Sequence, residues 1–176
     1  GNLHAKGVMI LASYLGAFYA ADRPLCMAAS IVFEQNYGEI DGDSATVAEL
    51  CALLSAIAKI PLKRSIAITG SMNQFGEVQA IGGVNEKIEG FYDICCLLGL
   101  SGTQGVIIPR SNMQHLMLKP AVRQAVEDGV FHIYAIDKIA DAITLLTDCD
   151  VGVADEQGEY PDNSFNAAVA TRLTNW

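Results

Sequence analysis

Gly105-Val106-Ile107-Ile108-Pro109, followed after an interval by Phe131-His132-Ile133-Tyr134-Ala135, is the pair of segments on which the fold turns. The first is a short apolar run closed by a proline, which has no N–H to give a sheet ladder, so it predicts a buried strand ending at Pro109. The second reads as another strand. Helical patterns stand on either side of it, at Pro120 to Glu127 and Lys138 to Leu146. Strand and helix alternating in this way predict an α/β (α+β layered) fold.

Toward the N-terminus the same reading continues. Val84, Ile88, Phe91, Cys95 and Leu98 recur at three- and four-residue spacing, predicting a helix that begins near Gly83 and stops near Gly99. Gly76 to Ile81 alternates like a strand, and Ser65 to Thr69 is a short apolar strand after the break at Pro61. Val47, Leu50, Cys51, Leu54 and Ile57 make a well-patterned amphipathic helix. Leu25 to Glu34, carrying Ile31, Val32 and Phe33, is a further strand candidate. Val8, Leu11, Leu15 and Phe18 space a first helix, ended by the turn Asp22-Arg23-Pro24. From Asp148 the composition changes: Asp148, Asp150, Asp155, Glu156, Glu159 and Asp162, with Gly152 and Gly158, read as an acidic linker or tail. The expected division is a domain over residues 1–147 and a tail over 148–176 with a short helix near Phe165 to Trp176.

Composition narrows the function. With 176 residues, 51% hydrophobic and 18% charged, the chain can bury a core as one domain. A net charge of −9 without clustered Lys and Arg argues against nucleic acid and against an anionic lipid surface. No run approaches a membrane span and the N-terminus lacks a signal-peptide pattern, so a cytoplasmic location is the default expectation. Cys26, Cys51, Cys95, Cys96 and Cys149 lack metal spacing, and most fall in apolar runs, which predicts reduced, buried thiols. His4, His115 and His132 form no His-Glu-x-x-His sequence, so no zinc hydrolase is expected.

Two glycine-bearing turns, each opening a predicted helix, carry the chemistry: Gly42-Asp43-Ser44-Ala45-Thr46 and Ile81-Gly82-Gly83-Val84-Asn85-Glu86-Lys87. A serine hydroxyl is a weak nucleophile until a neighbouring base takes its proton. A lysine serves as that base only when its pKa is drawn down, which burial does by disfavouring the ammonium form. Lys87 borders the apolar stripe of its helix, one turn from Val84 and Phe91, and is placed for partial desolvation. Ser44 falls at a helix N-terminus, where free backbone N–H groups favour negative charge and offer an oxyanion hole. Each residue alone has a plainer reading. Asp43 and Ser44 are ordinary helix N-cap residues, and a lysine beside an apolar stripe commonly snorkels to water.

Several blocks, agreeing in order and spacing, point to one family. Phe33-Glu34-Gln35 leads to Asp41-Gly42-Asp43-Ser44-Ala45; then come Ile68-Thr69-Gly70-Ser71, the run Gly76-Glu77-Val78-Gln79-Ala80-Ile81-Gly82-Gly83-Val84-Asn85-Glu86-Lys87, and Val106-Ile107-Ile108-Pro109. This stretch, Phe33 to Leu146, resembles the proteolytic domain of the Lon proteases, ATP-dependent Ser-Lys peptidases. The resemblance implies a fold similar to the ribosomal protein S5 domain 2-like fold, Ser44 as nucleophile, Lys87 as general base, and Thr69 positioning the lysine amine. Gly82-Gly83 would let the chain turn tightly into the lysine helix. It further implies a serine endopeptidase that degrades unfolded or damaged proteins as a homo-oligomeric ring, most often a hexamer. The chain has no Gly-x-x-x-x-Gly-Lys-Ser/Thr loop, so no cofactor is expected here, and ATP and Mg would belong to an ATPase part before Gly1. The alternative is a domain kept for assembly or substrate holding that does not turn over as an isolated fragment. Asp43 stands where the best-known bacterial Lon proteases have proline, as in the archaeal branch and a group of bacterial Lon-like proteins. A carboxylate reaching Lys87 would hold the amine protonated, which makes a resting, inactive arrangement one expectation.

Overall fold

The computed structural model describes residues 1–22, 24–32, 38 and 41–175. In chain order they form α1 (Asn2–Tyr19), α2 (Thr46–Ala58), β1 (Ile66–Ile68), β2 (Ser71–Met72), β3 (Val78–Gln79), α3 (Val84–Leu98) and β4 (Gly105–Pro109). A 3-10 turn over Arg110–His115 follows, then α4 (Pro120–Glu127), β5 (His132–Ile136), α5 (Ile139–Thr147) and α6 (Phe165–Thr174). The fold is mixed α/β.

β1, β4 and β5 make a parallel sheet in the order β1-β4-β5, with Ile66 and His132 both opposite Gly105. All five residues of the central β4 are buried. Side chains alternate across a strand, and here both faces are covered: Ile107 enters a core shared with α1, α2, α5 and α6, while Val106 and Ile108 enter one shared with α3 and α4. Burial on both faces is why the run reads as continuously apolar rather than alternating. β2 and β3 form a separate antiparallel pair, Ser71 opposite Gln79, between β1 and α3.

Gly105 is required by this pairing. A Cβ there would lie 2.7 Å from the His132 carbonyl oxygen and 2.9 Å from the Tyr134 ring, so any side chain must part β4 from β5. Gly105→Val is expected to lower the unfolding free energy by about 1–3 kcal/mol, the usual cost of overpacking. Urea denaturation checks this, and an unchanged midpoint would mean that the strand pair yields freely.

Val47, Leu50, Cys51, Leu54 and Ile57 of α2 are each at most 1% exposed, as their spacing predicts. On α1 the buried face differs from the expected one. Leu11 and Leu15 are buried, but with Tyr14 and Tyr19, whereas Val8 and Phe18 face outward. The Tyr19 hydroxyl finds a partner, donating to Asn166 Oδ1 at 2.7 Å, so the aromatic ring is buried without stranding its polar end. On α3, Val84, Ile88 and Cys95 are buried, while Leu98, next to the helix end at Gly99, is exposed.

Residues 25–32 of the expected strand Leu25 to Glu34 form no strand; Leu25 and Met27 lean on the core instead, and none of the described strands pairs with them. Phe33 and Glu34 of that expected strand, and the Phe33-Glu34-Gln35 block, lie outside the described residues, as do Arg23 of the expected turn and Trp176 at the chain end. All five thiols are free, but Cys26 and Cys96 are exposed rather than buried.

The acidic segment is not a loose tail. Phe165 and Val169 of α6 are fully buried in the core that contains α2. The segment leading there is pinned on both sides: Phe165 N–H donates to Asp150 O at 2.8 Å, Asn166 N–H to Val151 O at 2.9 Å, and the Tyr160 hydroxyl to Phe18 O at 2.8 Å. Acidic residues line the connection and apolar ones enter the core, so composition alone misjudged it. Among the described residues, no helix is long and apolar enough to cross a membrane.

Candidate active site

Ser44 sits in the loop that enters α2. The residue that caps this helix is Ala45, which has no side-chain cap bond, so Ser44 is not acting as an N-cap. Thr46 closes the turn, its N–H and hydroxyl donating to Asp43 O at 3.1 and 2.7 Å. The loop is then stitched to the chain beyond β1: Gly70 N–H donates to Ser44 O at 2.8 Å and Val47 N–H to Gly70 O at 3.1 Å. A Cβ on Gly70 would lie 3.0 Å from a Val47 methyl, so glycine permits the close approach. Thr69 N–H in turn donates to Ile107 O at 3.1 Å, tying the loop to β4. The expectation of free first-turn N–H groups is therefore narrowed, because those of Thr46 and Val47 are already engaged.

Lys87 is fixed from the other side. Of the pair Gly82-Gly83, Gly83 carries the left-handed conformation, with φ 67° and ψ 31°, and its carbonyl accepts from Lys87 N–H at 3.1 Å. Val84 and Ile88 anchor α3 in the second core. Two asparagines that the sequence reading passed over complete the support. Buried Asn112 grips Ile81, accepting from its N–H at 3.0 Å and donating to its O at 2.9 Å. Asn85 donates to His115 O at 3.0 Å and accepts from Met117 N–H at 2.8 Å.

These two supports bring together side chains 43 positions apart. Lys87 Nζ lies 2.9 Å from Ser44 Oγ, donating to it, and 3.4 Å from Thr69 Oγ1. Thr69, buried, donates its own proton to Ser44 O at 3.2 Å and so presents a lone pair to the amine. Much of the Lys87 side chain stays accessible to solvent, yet burial around the amine lowers its pKa below the ordinary lysine value. The arrangement is a hydroxyl within proton-transfer distance of an amine biased toward its neutral form.

Asp43 faces elsewhere. Its carboxylate pairs with Lys6 of α1, Nζ to Oδ2 at 3.1 Å. Partial burial pushes the Asp43 pKa up. Lys6 and the Ser71 hydroxyl, which lies near the carboxylate without closing a hydrogen bond of ordinary geometry, outweigh it and leave the pKa lowered. The expected Asp43 to Lys87 contact is replaced by these two separate pairs.

The α/β domain thus draws a hydroxyl and a partly buried amine together from two helix-opening segments, and sequence comparison gives the class of protein to which it belongs. The chain belongs to the family described as the Lon protease (S16) C-terminal proteolytic domain, which matches residues 36–147. It is 53% identical over 146 residues, 83% of this chain, to a Lon protease homolog of Escherichia coli K12, a name under which that protein's activity is left open. A homolog of the same description from Haemophilus influenzae is 49% identical over 164 residues, 93% of this chain. The archaeal Lon protease of Methanocaldococcus jannaschii is 52% identical over 83 residues, 47% of this chain and 12% of that one. The chain spans about a quarter of the length of the two bacterial relatives.

Proposed function

We propose that this domain is a serine endopeptidase that works through a Ser44 and Lys87 dyad. The observation that carries the reading is the 2.9 Å approach of Lys87 Nζ to Ser44 Oγ. Neutral Lys87 takes the Ser44 proton as Oγ attacks the scissile carbonyl. Backbone N–H groups at the start of α2, the positive end of that helix, would stabilise the developing oxyanion. The ammonium then protonates the leaving amine, and water, deprotonated by the same amine, hydrolyses the acyl-enzyme. Thr69 Oγ1 holds the amine in line through its lone pair.

For the longer protein of which relatives of this length are built, we propose ATP-dependent degradation of unfolded protein by a homo-oligomeric ring, a hexamer, in the cytoplasm. ATP and Mg would be held by an ATPase part, with no cofactor in this domain and neither nucleic acid nor membrane as partner. The fold is proposed to be of the ribosomal protein S5 domain 2-like kind. An assembly-only role is disfavoured, because such a role needs neither the hydroxyl nor the amine.

Only the neutral amine is a base, so the rate must rise with pH through the Lys87 pKa and then level. Burial lowers that pKa, so the levelling falls below the ordinary lysine range. The test is casein hydrolysis across pH with the assembly state followed by size-exclusion chromatography. A rate independent of pH over the rising limb would remove Lys87 as the base.

A further inference from the structure

Three contacts tie the first two turns of α1 to the loop that carries Ser44. Asp41 Oδ1 accepts from Leu3 N–H at 3.0 Å and from His4 N–H at 3.3 Å. Lys6 Nζ donates to Asp43 Oδ2 at 3.1 Å. Gly7 is buried against Thr46, and a Cβ on it would lie 2.8 Å from Thr46 Oγ1. Asp41, Asp43 and Thr46 thus bracket Ser44, and each is touched by α1 rather than by the elements that hold Lys87.

The electrostatic consequence follows from where the two amines sit. Asp43 is the immediate chain neighbour of Ser44, whose Oγ lies 2.9 Å from Lys87 Nζ, so the loop whose carboxylate is held by Lys6 also carries the hydroxyl that meets the second amine. Lys6 is taken up by Asp43, while Lys87 is taken up by Ser44 and Thr69. An opposite charge within about 4–6 Å favours the charged form of an amine, so a carboxylate released from Lys6 and turned to Lys87 would keep the base protonated.

We propose that Lys6 is a positioning residue of the reaction: by holding the Asp43 carboxylate on the α1 side of the loop, it leaves Lys87 hydrogen-bonded to Ser44 without an anionic partner. The inference rests on the dyad reading above. Lys6 touches neither the hydroxyl nor the amine, and it acts through Asp43. The pair is half-exposed, so its direct worth to stability is small. Its effect belongs to the protonation of Lys87 rather than to folding. Among the described residues, the other charged groups around the loop are Asp41 beside it, the amino terminus acting on Asp41, His4 of α1, and Glu49 of α2, whose carboxylate lies 3.6 Å from His4 Nδ1. Lys6→Ala leaves those in place.

The experiment follows the Lys87 amine by NMR titration of its side-chain carbon and nitrogen, alongside casein hydrolysis. The chains compared are the parent, Lys6→Ala, Lys6→Arg and Lys6→Ala with Asp43→Asn. Lys6→Ala should titrate Lys87 at higher pH and cut the rate at neutral pH about tenfold, as each pKa unit divides the neutral fraction by ten. Lys6→Arg should restore both, since guanidinium still holds the carboxylate. The double variant should restore both as well, because the anion that traps the amine is gone. An unmoved Lys87 titration in folded Lys6→Ala, or a double variant that stays displaced, overturns the proposal. Should Lys6→Ala not fold, Lys6→Met, which keeps an unbranched side chain of similar length and loses the charge, takes its place, with the same displacement of Lys87 expected and an unmoved titration overturning the proposal. A parent chain inert toward casein but with Lys87 displaced by Lys6→Ala would refute the peptidase reading and keep the Lys6 assignment. An active parent with Lys87 undisplaced would do the reverse.

Discussion

Ser44→Ala is expected to reduce casein hydrolysis by about 10³-fold or more, to background, because removing the nucleophile of a covalent mechanism leaves only binding and electrostatic contributions. Lys87→Ala should cost a similar factor, and the double variant little more than either alone. Residues that act as one unit fail together, so the two losses must not multiply. Lys87→Arg should be as inactive as Lys87→Ala, since a guanidinium stays protonated at any working pH and has no lone pair to accept the Ser44 proton. The fold should survive all of these. Ser44 does not cap α2, and the loop is held through backbone bonds of Ser44 and Gly70 that alanine keeps. Circular dichroism beside the casein assay separates loss of chemistry from loss of structure. Activity retained in Ser44→Ala would exclude the dyad.

The second large effect is on stability. Phe165 is fully buried where α6 meets α2, and truncating a buried phenylalanine to alanine costs about 3–5 kcal/mol through lost transfer energy and the cavity left behind. Against a typical domain stability of about 5–15 kcal/mol, this one change would bring a sizeable fraction of molecules toward unfolding. Phe165→Ala is therefore expected to lower the urea midpoint sharply. The site should feel it too, because the Ser44 loop leads into α2, which places Val47, Leu50, Leu54 and Ile57 in the same core. A shift within about 0.5 kcal/mol, the range of surface substitutions, would mean that α6 is not part of that core.

How much of this was readable in the chain differs from element to element, for physical reasons. Gly105–Pro109 appeared in full because a strand buried on both faces leaves no polar residue to blur it and proline marks its end. α2 appeared because its stripe is strictly periodic, and α4 because a proline opens it. On α1 the expected face is right at Leu11 and Leu15 and wrong at Val8 and Phe18, where Tyr14 and Tyr19 are buried instead. Apolar residues stand on more than one side of this helix, and no spacing rule foretells that the Tyr19 hydroxyl finds Asn166 across the fold. The Leu25 to Glu34 strand was misjudged over residues 25–32 because β-propensity says nothing of whether a partner strand lies alongside. The short helix near Phe165 was expected, but the acidic composition before it gave no sign that Phe165 and Val169 of α6 enter the core.

In the site, Ser44 and Lys87 were named from motif and chemistry and Thr69 from the family resemblance, and the structure brings the three together. Lys6 and Asn112 were not. Their partners lie 37 and 31 positions away, and no spacing rule links a lysine on a first helix, or an asparagine after a strand, to a turn so distant in sequence. The two-sided support they give to the loops of Ser44 and Lys87 is a property of the folded chain alone.

The most direct measurement is covalent trapping. The folded chain is incubated with a fluorophosphonate, which reacts with activated serine, and the modified residue is located by peptide mass spectrometry. A single adduct on Ser44, formed faster as pH rises and lost in Lys87→Ala, is the predicted result. An adduct on another serine, or labelling of Ser44 that is undiminished without Lys87, would contradict the dyad.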